Sequence, residues 1–441
     1  MMSSTTVACG AGFAGDRLEP AIEFAQSGEV ATVVLECLAE RTLVAGLLDR
    51  AADSNAGFDR RLERRLASLL PLAHAAGCRI VSNLGSANPL AAGQAVARMG
   101  RSLGLRGLRI AVVLGDDISR HADKVRWADE LGGTPEEEWL GVHAYLGMSA
   151  IATALAEGAD IVLTGRSSDS ALFAAPAAAF LDLDDAGVAG ATTIGHLLEC
   201  GGQLTGGNLA AWQGPKLGPA DYADLGYPMA EVFADGSAEI SVLPGKPARL
   251  DVLTVTLQLL YEVHDPRAYL TPDVTLDFAE LDIEQRGTNR VRVSGVVGLP
   301  RPQSLKAVGF LRHPGMVADL EIAYAGEGAL DRAQRAGDTL RVRMGRLGVT
   351  DFNIDYVGVD SVLGAATHPA AVPPAEARMH VSARCPSREV AQAAEDELYT
   401  LTLAGPPGGC CMRSEQRPNV EVVSGLIARE YAQPRIEWCT A

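Results

Sequence analysis

Short apolar, β-branched runs recur through the first half of the chain, at residues 5–9, 31–36, 79–82, 108–114 and 160–163. Between them, residues 17–26, 60–76, 90–103 and 149–157 carry apolar side chains at three-to-four spacing, so strands are predicted to alternate with helices. The runs lack a polar alternation, which predicts strands buried on both faces of a mostly parallel, doubly wound α/β sheet. From about Arg290 the rhythm becomes alternating. Segments 291–297, 306–311, 318–324, 352–359 and 379–383 predict antiparallel strands, interrupted by helices at 329–347 and 387–404. Ser387 is placed to cap the second helix, and Gly405 with two prolines closes it. The order suggests an α+β, ferredoxin-like layer. Two domains are therefore expected, an α/β ligand-binding or catalytic domain over 1–285 and an α+β domain over 286–441.

Charge and cysteine usage narrow the partners. The chain has 441 residues, 47% of them hydrophobic, and 38 basic against 55 acidic residues leave a net charge of −17. That balance repels nucleic-acid backbones and anionic lipid surfaces. The first basic residue is Arg17 and the longest apolar run, 171–181, is far too short for a bilayer, so a cytoplasmic protein without a membrane span is expected. Of eight cysteines only Cys410 and Cys411 are neighbours, and none shows zinc spacing. Neither a disulfide frame nor a metal site is expected.

Candidate chemistry collects after the strands. Gly10, Gly12 and Gly15 satisfy GxGxxG between a strand and a helix, and Glu36 follows about twenty residues after Asp16, where a ribose-binding carboxylate would sit. A compact strand-to-helix turn capped by Asp16 is the plainer reading. Ligands in open α/β sheets lie beyond the carboxyl ends of the strands. The polar residues there are Asn83 and Asn88, Asp116 and Asp117, then Arg166, Ser168 and Asp169. Arg166 offers a planar fork suited to carboxylate or phosphate, or an internal partner for Asp169. His196, Glu199 and Cys200 share a helix face, which suits an acid–base pair and also a simple surface contact. No GxxxxGK[ST], HExxH or GxSxG string occurs. His264, in the string YEVHDP, reads as a core or cap residue.

The strings CGAGFAGDR, SNLGSANP, VVLGDD, GADIVLTGRSSDS, GHLLECGGQLTGG, GYPMAEV and LLYEVHDPRAYLTPDV resemble, in this order, the acyclic terpene utilization (AtuA) family. The resemblance runs over nearly the whole chain from Val7. It implies breakdown of acyclic terpenoids through acyl-CoA intermediates, and site residues at Gly12, Asp16, Asn83, Asn88, Asp116, Asp117, Arg166, Asp169, His196, Glu199 and Cys200. The chain departs from the family at Lys246, Pro247 and Arg249, and at Cys410 and Cys411, where glycines are expected. With the strand-end residues it gives the expectation of an enzyme acting on a small organic acid or its CoA thioester by hydratase, isomerase or lyase chemistry. In that scheme His196, oriented by Glu199, shuttles the proton, Asp116 or Asp169 is the second acid–base group, and Arg166 with the glycine turn holds anionic groups. An NAD(P)-dependent oxidoreductase and a non-catalytic subunit of an acyl-CoA-processing complex are the alternatives. A homo-oligomer is expected, with a partner subunit supplying the small C-terminal domain that some relatives carry.

Overall fold

A computed structural model describes residues 3–128, 139–209, 214, 216–366 and 374–441. The chain opens β1 (Ser4–Ala11), α1 (Glu19–Ser27), β2 (Thr32–Leu35), α2 (Glu40–Ala52), α3 (Leu62–Ala76), β3 (Arg79–Ser82), α4 (Pro89–Ser102) and β4 (Arg109–Leu114). It continues β5 (Arg126–Trp127), β6 (Trp139–Ala144), α5 (Ser149–Ala156), β7 (Ile161–Thr164), α6 (Asp169–Phe180), α7 (Asp185–Leu198), β8 (Pro228–Phe233) and β9 (Ala238–Val242). Helix ends follow local chemistry. Gly28 and Gly77 close α1 and α3 at φ of 71° and 67°, a region that glycine enters without steric cost, and Asn88 caps α4 by accepting from Ala91 N at 3.3 Å.

β1, β2, β3, β7 and β4 pair side by side and parallel, in that spatial order. β8 and β9, then Arg290–Ser294 and Asp282–Gly287, extend the sheet antiparallel beyond β1, and Arg435–Thr440 pairs antiparallel with β4. The ten-stranded sheet is therefore mixed, and its parallel part is central. The sequence reading of a mostly parallel sheet holds for that centre alone. The flanking strands lie far along the chain, and an alternating strand reads the same whichever edge it joins. The change of rhythm near Arg290 falls inside this antiparallel flank, after β8 and β9 have already opened it.

Alternate strand residues feed two apolar layers, as the period of two requires. Val7, Cys9, Val34, Val81, Ala111 and Val162 pack with α5, α6 and α7, for example against Ile151, Phe173 and Leu197. Ala8, Val33, Ile80, Ile110 and Leu163 pack on the other face with Phe24, Leu66, Leu69 and Val96 of α1, α3 and α4. Each fully buried aliphatic side chain contributes about 1.5–3 kcal/mol, so the sheet is fixed from both faces and holds its strand ends rigidly.

The described residues fall into two compact units. The larger holds the residues up to 128, Trp139–Phe310 and Val422–Ala441, and the smaller holds Leu311–Glu421. In the smaller unit Glu376–Cys385 lies antiparallel between Phe352–Val357 and the long strand Ser304–Ala325, in a register that sets Ile354 and Ile322 beside Val381 and Met379. Helices Ala329–Arg346 and Arg388–Ala404 supply Leu340, Met344 and Leu398 to its core. Ser387 accepts from Val390 N at 3.3 Å and starts the second helix where the sequence places it.

Candidate active site

The parallel strands end at one rim, and there the sequence turns from apolar to polar. After β2 and β3, Asn83 accepts from Cys37 N at 2.6 Å and donates to Glu36 Oε1 at 2.9 Å; the same oxygen accepts from Leu38 N at 2.9 Å. Burial pushes the Glu36 carboxyl up to about 8, with Asp169 adding to the shift. After β7, Arg166 is 1% exposed and its fork is committed to protein acceptors. Nε and Nη2 donate to Ser167 O at 3.0 and 2.7 Å, Nη1 donates to Leu38 O, and Nη2 also pairs with Asp169 Oδ1. The guanidinium lies 4.6 Å from the Tyr145 ring centre. After β4, Asp116 Oδ2 accepts from Arg166 N at 2.8 Å and stands 3.0 Å from Nδ1 of the buried His143.

α7 brings the second group. Asp184 caps it by accepting from Gly187 N, and its last turn presents His196 and Glu199 three residues apart. His196 Nδ1 is 3.3 Å from Glu199 Oε1 and Nε2 is 3.2 Å from Leu259 O. A carbonyl oxygen accepts only, so Nε2 carries a proton and one further proton is shared between Nδ1 and the carboxyl. Burial raises Glu199 to about 7, although His196 pulls it down; Asp169 and Glu262 also raise it. Burial alone would lower the imidazole, yet Glu199 outweighs it and the net shift is upward.

Glu199 and Asp169 line one cavity of about 410 Å³, whereas His196, fully buried, lies behind Glu199. Burial raises the Asp169 carboxyl, Arg166 opposing and Glu40 assisting the shift. Ser168, Glu262, Tyr145, Tyr269 and Lys306 also line the cavity, with Leu270, Pro272, Pro302, Leu305 and Leu426 as its apolar wall. Arg429 ties two of those wall residues together, donating to Pro302 O at 2.8 Å and to Pro272 O. Glu262 holds a φ of 60°, a conformation that costs a non-glycine residue about 1–3 kcal/mol and recurs at functional sites.

Asn83, Glu36, Asp116, Arg166 and Asp169 thus form one contact network, and Ser168, Asp169 and Glu199 reach the cavity. The remaining sequence candidates take other places. Gly10 lies inside β1 against Val33 and Ala21. A Cβ on Gly12 would stand 2.6 Å from the Cys200 carbonyl carbon, so the close approach that glycine permits is to the chain's own turn after α7. Gly15 faces the Phe13 ring. Asp16 accepts from Gly12 N at 2.8 Å, from Arg17 N at 2.8 Å and from Tyr227 OH, so it ties the turn together but does not cap α1, whose N-cap is Leu18 without a side-chain capping bond. Asn88 caps α4, and Asp117 accepts from Ser119 and pairs with Arg50. Burial raises the Cys200 thiol to about 12, Glu199 adding to it, which leaves no thiolate near neutral pH.

Sequence reasoning did not single out His143, Tyr145, Tyr269 or Lys306, and it passed over Glu262 within YEVHDP. They come from segments inserted between sheet strands or following them, without a recurring spacing. A larger cleft of about 980 Å³ includes Thr6 and Glu29, at the opposite ends of β1 and β2; its Lys246 is already paired with Glu23 and Asp224. Among the described residues no cluster of three or more His, Cys, Asp or Glu side chains forms a metal site, and no helix is long and apolar enough to cross a membrane.

Fold and site together define a mixed α/β protein with an acid-rich cavity beside the carboxyl ends of its parallel strands. The chain belongs to the acyclic terpene utilisation family AtuA, whose model matches residues 5–438, and membership implies a role in acyclic terpene utilisation. No curated protein and no solved structure matches it.

Proposed function

We propose that the protein is an enzyme of acyclic terpene utilisation that moves protons on a branched, largely apolar substrate seated in the 410 Å³ cavity. One observation carries the reading: two carboxyl groups from different elements face one cavity, Asp169 held by a buried arginine and Glu199 by a buried histidine. Such unequal environments separate an acid from a base. Glu199, raised to about 7, is matched to give or take a proton near neutral pH. Asp169 is the second group. His196 does not reach the cavity; it is a positioning residue that keeps Glu199 in register and shares its proton, the reverse of the roles expected from sequence. Donation by one carboxyl with acceptance by the other, alone or with a water, gives isomerisation or hydration, and hydration run backwards is a lyase step.

The test is solvent-deuterium incorporation into a panel of branched unsaturated acyl compounds and alcohols, followed by NMR. Glu199→Gln and Asp169→Asn are expected to lower exchange by about 10²–10⁴-fold at unchanged circular dichroism. Wild-type exchange in both variants would overturn the proposal.

A further inference from the structure

Resting on that reading of the cavity, we infer that the polar group the substrate places beside Asp169 and Glu199 is an uncharged hydroxyl, and that a free carboxylate is rejected there. The lining carries three carboxyl groups, Asp169, Glu199 and Glu262, against one lysine among its described residues. Arg166, the cation nearest Asp169, is 1% exposed and does not line the cavity, and Nε, Nη1 and Nη2 donate to Ser167, Leu38 and Asp169, so it does not present its fork to an anion there. Lys306 has its side chain 52% exposed, 3.6 Å from Glu40 Oε1 and 4.6 Å from the Tyr145 ring centre, so its charge is drawn to the outer end. Glu199, 9% exposed, marks the inner end.

A carboxylate carried inward would lose water and meet like charge, two penalties of the same sign. A hydroxyl meets neither. It can donate to an ionised carboxylate and accept from a protonated one, so it matches a site in which one proton is shared. The apolar wall beyond takes the hydrocarbon body.

Equilibrium binding to the full chain, by calorimetry at a pH above the ionisation of Glu199, tests this with octanol and octanoate, which share a chain and differ in head charge. Octanol should bind saturably and octanoate at least about tenfold more weakly, and the gap should narrow in Asp169→Asn, where one negative charge is removed. Equal or tighter binding of octanoate, no saturable binding of octanol, or an unchanged gap in folded Asp169→Asn would overturn the inference. Lys306→Gln gives a further check, since octanoate affinity that falls in that variant would show the head seated at the lysine. The readout is independent of turnover. Failure of the acid–base reading would appear as retained exchange in both Glu199→Gln and Asp169→Asn, with the alcohol preference of the wild-type chain intact.

Discussion

Asp116 holds Arg166 by its main chain: Oδ2 accepts the arginine amide at 2.8 Å, and the same oxygen stands 3.0 Å from His143 Nδ1. The aspartate therefore sets where Arg166 begins, and Arg166 in turn holds Asp169 at the cavity. Asp116→Ala leaves a buried amide and a buried imidazole without their acceptor, and urea denaturation should show a loss of about 2–4 kcal/mol. Asp116→Asn, which keeps one acceptor, should recover part of it.

Glu36 links stability to pH. Its carboxyl is raised from 4.5 to about 8 in the fold, so the folded state holds a proton that the unfolded chain has released. Stability from this group is complete below about 4.5 and is lost as pH rises through about 8. Melting temperatures should fall across that window, and Glu36→Gln, which retains the acceptor for Asn83 and Leu38, should flatten the decline. An unchanged slope would contradict the assignment.

His196 pulls the Glu199 carboxyl down from where burial would set it. Removing the imidazole should move the pH–rate limb that reports Glu199 upward from about 7 and lower kcat more than it alters KM. A His196→Asn variant with slower turnover and an unmoved limb would place the histidine outside this pair.

Gly12 and Gly15 separate packing from ligand binding. Gly12→Ala drives a Cβ into the Cys200–Gly201 backbone and should cost about 1–3 kcal/mol in thermal unfolding. Gly15→Ala meets the edge of the Phe13 ring at 3.0 Å, and Phe13, 58% exposed, can move aside, so its effect should be small. Titration with NAD or NADP should leave the melting temperature unchanged, since the chain's own backbone stands over Gly12; a saturable rise would restore the dinucleotide reading.

The parallel core was legible because β2, β3, β4 and β7 are short apolar runs followed closely by polar residues, and β1 carries its apolar run at residues 7–9. Of the polar ends of β3, β4 and β7, Asp116 and Arg166 meet directly, and Asn83 is joined to Arg166 through Glu36 and Leu38. The antiparallel flank was harder to read, because Arg290–Ser294 shows which face is buried but not which strand it joins. The site was half legible. Residue type marked Asp169 and Glu199, but which member of the His196–Glu199 pair faces the cavity depends on the Leu259 carbonyl, 63 positions from His196. Spacing within α7 cannot reveal that partner. The glycine turn misleads for a related reason: glycine records that something approaches closely, not whether it is a phosphate or the chain itself.

The Arg429 clamp bears on the order in which the molecule assembles. Its two bonds join residues 127 and 157 positions apart, so tying the cavity wall requires two long loop closures within the larger unit. A folding chain can bury its central strands and α7 before Arg429 docks. Asp169 and Glu199 would then sit in an unfinished groove, and the sheet would be native-like well before the wall of this cavity closed.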